Sequence, residues 1–171
     1  MISFLLASYY MSVSGAVFGL SGFNASVSGF GLRPGLKIKA VGTFSKLGPG
    51  NVFYGPVFSL FTIDHGNTNF LVMPVAAQAG YLLGTPVLKP FAAVEAGGVQ
   101  SIELSDTSFT VWGFTSGLDA GLMLMAGRLG LSVSAGLGVS SIPFSEDAKP
   151  FSDSTITGIS YRVAGGGVYS W

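Results

Sequence analysis

The sequence predicts an all-β fold: a transmembrane antiparallel up-and-down barrel of eight strands, in a single domain over residues 1–171. Three observations predict it. Charged residues make up only 9% of the chain, against about 25% in ordinary soluble domains. Glycine is abundant, at 26 of 171 residues, where about 7% is typical. Along most of the chain, apolar side chains alternate with small or polar ones at period two, the spacing that separates the two faces of a strand.

Taken in order, the first run (about 5–19) sets Met11 and Val13 against Ser12 and Ser14. The second (28–44) sets Leu36, Ile38 and Ala40 against Lys37 and Lys39. Runs three (51–63) and four (69–83) are apolar on both parities. Val52, Tyr54, Pro56, Phe58 and Leu60 compete with Phe53, Val57, Phe61 and Ile63, and Phe70, Val72 and Ala76 with Leu71, Met73 and Val75. In the fifth (87–103), Leu88, Ala92, Val94 and Ala96 oppose Lys89 and Glu95. In the sixth (110–124), Trp112, Phe114, Leu118, Ala120, Leu122 and Leu124 oppose Gly113, Thr115, Gly117, Asp119 and Gly121.

The seventh (129–140) alternates most cleanly, with Leu129, Leu131, Val133, Ala135, Leu137 and Val139 against glycines and serines. The eighth runs from 155 to 171. Pro56, Pro74 and Pro90 each remove a ladder donor and favour bulges or strand ends.

Transmembrane helices need about 20 mostly apolar residues. The best candidate, the first 20, holds Ser3, Ser8, Ser12, Ser14 and Gly15. A closed barrel lets strands cross lipid with every backbone group paired. Other classes fall away on composition. A net charge of zero without basic clusters gives no footprint for nucleic acid. The absence of cysteine removes disulfides, zinc clusters and thiol nucleophiles. No cofactor or metal site is expected, since no D-x-[DN]-x-[DN]-G loop occurs.

The chain ends Tyr161-Arg-Val-Ala-Gly-Gly-Gly-Val-Tyr169-Ser-Trp171. A terminal aromatic, a second one two residues earlier and alternation behind them resemble the bacterial outer-membrane β-barrel family, and in particular its small eight-stranded OmpA-, OmpX- and OmpW-type members. Trp171 stands where Phe is commoner, and Gly165 and Gly167 replace larger apolar residues. The resemblance implies an outer-membrane location in a Gram-negative-type bacterium, contact with outer-membrane lipid, and reading of Tyr169 and Trp171 by the barrel-assembly machinery.

Such barrels have short periplasmic turns and longer external loops. Gly84-Thr85-Pro86 and Ala126-Gly127-Arg128 read as short turns, Ser141–Ser154 as a long loop, and Asp64–Asn69 and Glu103–Ser108 as intermediate ones. That places both termini in the periplasm. Asp64, Glu103, Asp106, Glu146, Asp147 and Asp153 then fall outside with only Lys149 against them, while Lys46, Lys89 and Arg128 lie near the periplasmic turns. Met1–Tyr10 lacks a positive n-region; the chain therefore reads as mature, with a plug or flanking segment as the alternative.

On this parity Lys37, Lys39, Glu95, Asp119 and Arg162 point into the lumen near mid-strand. A lipid-facing Lys or Arg there costs about 2–4 kcal/mol. Two acids and three bases in a tight lumen should pair, either as a structural plug or as a gate on a polar path. Tyr54, Phe58 and Phe70 could line an apolar lumenal pocket against the small face of strand seven, or pack there as large against small.

An enzymatic role is not expected. His65 stands alone in Asp64-His65-Gly66, and Ser152 or Ser154 with Asp153 could complete a triad only through fold proximity. The expected role is structural or interactive: anchoring, adhesion, or a place in a surface assembly with other membrane or surface proteins. The alternative is a narrow channel or binder for small hydrophobic molecules.

Overall fold

The structure is a computed structural model that describes residues 8–23, 30–65, 68–104, 112–144 and 155–171. Eight strands follow one another: β1 (Ser8–Gly22), β2 (Phe30–Leu47), β3 (Gly50–His65), β4 (Thr68–Leu83), β5 (Leu88–Glu103), β6 (Gly113–Ala126), β7 (Leu129–Pro143) and β8 (Thr155–Ser170). Each pairs antiparallel with its sequence neighbour, and β1 closes the barrel on β8. Closure removes the free edges that would otherwise leave unpaired backbone groups in lipid.

At one end the turns are tight. Gly48 (φ 60°) opens the turn between β2 and β3, and Gly127 (φ 66°) opens the one between β6 and β7. Positive φ at the first position of a two-residue hairpin suits glycine, which has no Cβ to clash. The β1 and β8 ends share this side, where Tyr9 and Trp171 exchange backbone hydrogen bonds. At the opposite end one expectation changes. The connection between β3 and β4 is not intermediate in length, because pairing continues to His65 and Thr68 and leaves only residues 66 and 67 between the strands.

Alternation sorts the side chains as the composition requires. Met11, Val13, Val94, Leu118, Leu122, Leu131, Val133, Leu137 and Val163 are exposed on the outer wall. Trp171 stacks on Tyr9 (5.7 Å between ring centres, 9° between planes) and on Tyr169 (5.7 Å, 26°) on the outer wall at the terminal end. Aromatic girdles of this kind suit a membrane–water boundary.

The lumen is filled rather than open. Toward the loop end, Phe18 stacks on Phe61 (4.5 Å, 17°) and Phe70 meets Phe144 edge-on (4.9 Å, 71°), within a buried cluster that includes Leu20, Ile63, Val72 and Val99. Toward the turn end, Phe53 and Phe91 (6.3 Å, 78°) pack with Tyr10, Leu82, Met123, Met125 and Val168. Between the two apolar clusters lies a polar layer.

Candidate functional site

The polar layer is built from five strands. β2 supplies Lys37 and Lys39, β4 supplies Gln78, β5 Glu95, β6 Asp119 and β8 Arg162. Partners directly across an antiparallel pair share a face, so the register explains how they meet. Asp119 pairs with Gly136, which pairs with Arg162, forming one row across β6, β7 and β8. Gln78 lies directly opposite Glu95. Lys37 sits between Ser14 and Ser59, and Lys39 between Ser12 and Val57.

The structure thus brings together all five charged residues that sequence parity aimed inward. Asp119 is the hub: its carboxylate pairs with the Lys39 ammonium, lies 3.3 Å from Lys37 Nζ and 3.6 Å from Arg162 Nε. Glu95 pairs with the Arg162 guanidinium and lies 3.8 Å from Lys37 Nζ. Lys39 Nζ also sits 4.7 Å above the Phe91 ring centre, a cation–π contact. Lys37 is 0% exposed, so its charge depends on these two carboxylates. An ammonium taken from water costs several kcal/mol unless partners replace the hydration.

Gly136 makes the arrangement possible. A Cβ placed there would lie 2.6 Å from Arg162 Nε and 2.8 Å from Nη2. The guanidinium therefore lies across a bare stretch of β7 to reach β6 and β5. We expect Gly136→Val to displace it and destabilise the barrel by about 1–3 kcal/mol, as overpacking does. Urea unfolding of refolded protein, followed by the band shift between folded and unfolded barrel on gels, checks this; an unchanged midpoint would show that Arg162 is not held there.

Lys89, on the same parity as Glu95, lies nearer the turn end, and no ion pair joins it to the layer among the described residues. The apolar lumenal pocket that Tyr54, Phe58 and Phe70 could have lined does not form. Tyr54 is 53% exposed on the outer wall, Phe58 shares its outward parity, and Phe70 alone is lumenal, within the loop-end seal. The register decides the matter. Lys37 must face inward, Ser59 lies opposite it, and Ser59 fixes Phe53, Val57, Phe61 and Ile63 as the inner face of β3. Tyr54 instead borders a shallow depression of about 590 Å³ on the outer wall, floored by Ala77, Ala79 and Ala96.

His65 ends β3 and pairs with Thr68. Ser152, Asp153 and Ser154, which a triad would need, lie outside the described residues, as do Asp106, Glu146, Asp147 and Lys149 of the expected acidic loops. Asp64 is described, and its carboxylate is 2.9 Å from Arg33. Among the described residues no cluster of three His, Cys, Asp or Glu side chains could hold a metal. Sequence reasoning missed Gln78 and the two aromatic seals. Gln78 had a signal, as the lone amide in the apolar run from Met73 to Leu83.

A closed eight-stranded antiparallel barrel with an apolar outer wall and a packed lumen crossed by one polar layer has the architecture of the small outer-membrane barrels. Solved structures agree on the fold. The chain is similar to Neisserial surface protein A (NspA), at 12% identity and TM-score 0.67, over 95% of this chain and 98% of that one. It is similar to Ail, the attachment invasion locus protein of Yersinia pestis, at 10% identity and TM-score 0.57, over 95% and 98%. It is also similar to OprG of Pseudomonas aeruginosa, at 9% and 0.53, over 96% and 95%. No protein-family model and no curated protein matches the chain.

Proposed function

We propose that this chain spans a bacterial outer membrane, with both termini periplasmic, and serves a structural or interactive role there. It would act as an anchor, an adhesion or a subunit of a surface assembly, in contact with outer-membrane lipid and other membrane or surface proteins. The observation that carries the reading is the lumen, where a buried ion-paired layer is closed above and below by apolar clusters. A barrel filled in this way has its outer wall and its loop end left for function. The outward position of Tyr169 and Trp171 at the end of β8 leaves them readable by the barrel-assembly machinery. Two of the similar folds belong to proteins described as a surface protein and an attachment invasion locus protein, which supports the same reading.

Uptake tests it. Proteoliposomes of the refolded barrel should admit a small fluorescent aromatic solute no faster than lipid vesicles alone. Protein-dependent entry would replace this reading with that of a narrow conduit for small hydrophobic molecules.

A further inference from the structure

The charged layer is not balanced. Three cationic side chains, Lys37, Lys39 and Arg162, face two carboxylates, Glu95 and Asp119. One positive charge is left over between two apolar seals, where an uncompensated charge is strongly unfavourable. Just on the turn side of the layer is a space of about 30 Å³. Its lining includes Lys39, Gln78, Ser12, Ser14, Ser132 and Ser134, with Tyr10 beside them, and no carboxylate borders it. Phe53, Phe91, Met123, Val41 and Val168 form its apolar wall.

Gln78 gives the second, independent observation. It is 3% exposed, and neither its amide nitrogen nor its oxygen has a hydrogen-bond partner. A buried amide with both of its polar atoms unpaired is strongly unfavourable. An ammonium has three donors, and the Lys39 bond to Asp119 uses one of them. The remaining donors on Lys39, the Gln78 amide and the serine hydroxyls surround a space larger than the roughly 10–15 Å³ that a single water needs.

We propose that this space is a binding site for one small monovalent anion of halide size, held by Lys39, Gln78 and the serine hydroxyls. The chemistry of the lining separates it from the second lumenal space, of about 40 Å³, on the loop side of the layer. That one is bordered by Glu95 as well as Arg162, so it suits water and repels an anion. An anion on the turn side brings the layer to neutrality and gives the Gln78 amide an acceptor. The site is independent of any partner the barrel docks.

The test is refolding in sodium bromide, so that the ion need not cross the apolar seals, followed by crystallisation and anomalous diffraction at the bromine edge. A peak within hydrogen-bond distance of Gln78 Nε2 and Lys39 Nζ is expected. Melting in micelles should occur at higher temperature in sodium bromide or chloride than in gluconate at equal ionic strength, because gluconate is too large to enter. Gln78→Leu should lose both the peak and the halide effect. If that variant fails to fold, the paired Ser132→Ala and Ser134→Ala changes serve, and a weakened peak is expected. Bromide only at the protein surface, or equal melting in the three salts, would overturn the site.

Discussion

Asp119→Ala destabilises the barrel by about 3–5 kcal/mol, the usual cost of leaving buried charge without its partner. The prediction is large because Asp119 touches Lys37, Lys39 and Arg162 at once. Its removal leaves Glu95 to answer three cations. Equilibrium urea unfolding in lipid vesicles measures the loss. Recovery should follow as well: Lys39→Met in the Asp119→Ala background should restore part of the stability, because it removes one of the orphaned cations. If the single variant unfolds at the wild-type midpoint, the layer is not what fills the lumen. If the second change deepens the loss, the packing of Lys39 on Phe91 outweighs its charge.

Leu118→Arg is the second large effect, a loss of about 2–4 kcal/mol, as expected for Arg on a lipid face at the bilayer midplane. Leu118 is 64% exposed and directly precedes Asp119 in the charged layer, so it sits on the outer wall at mid-barrel depth. Leu129 is 65% exposed but begins β7 at the tight turn. Leu129→Arg should therefore cost only about 0–1 kcal/mol, because the penalty fades toward the interface. Two equally exposed leucines with unequal costs would report the depth of the membrane. Equal small costs would mean that the wall at Leu118 does not face lipid.

These two residues also show why much of the fold could be read from the sequence. Leu118 and Asp119 are neighbours with opposite requirements, and period two assigns them to opposite faces without ambiguity. The same holds along β7, where each leucine or valine is followed by glycine or serine, and for Lys37 and Lys39 on β2. It fails on β3 and β4 for a physical reason. Both ends of the lumen are sealed by aromatic and aliphatic side chains, so the inner face there is as apolar as the outer one. Hydrophobicity then carries no information about direction. Only mid-strand polar residues tied by register to a charged partner across the ladder do, and Ser59, opposite Lys37, and Gln78, opposite Glu95, are such residues. Weighing them above their many apolar neighbours would have turned Tyr54 and Phe58 outward.

The candidate site divides in the same way. Its charges were visible because a charge at mid-strand has one tolerable direction. The contribution of Gly136 was not, since a glycine in a chain with 26 of them carries no mark of its own. Its importance depends on which residue lies across the next strand, and that is a property of register. The two spaces beside the layer depend likewise on how side chains from six or more strands meet.

The ion-paired layer and its two apolar seals close the lumen. Current through planar bilayers containing the refolded wild-type barrel tests this closure most directly. A baseline without steady open-state current in concentrated potassium chloride is expected. A large, stable, ohmic conductance from the wild-type protein would contradict it.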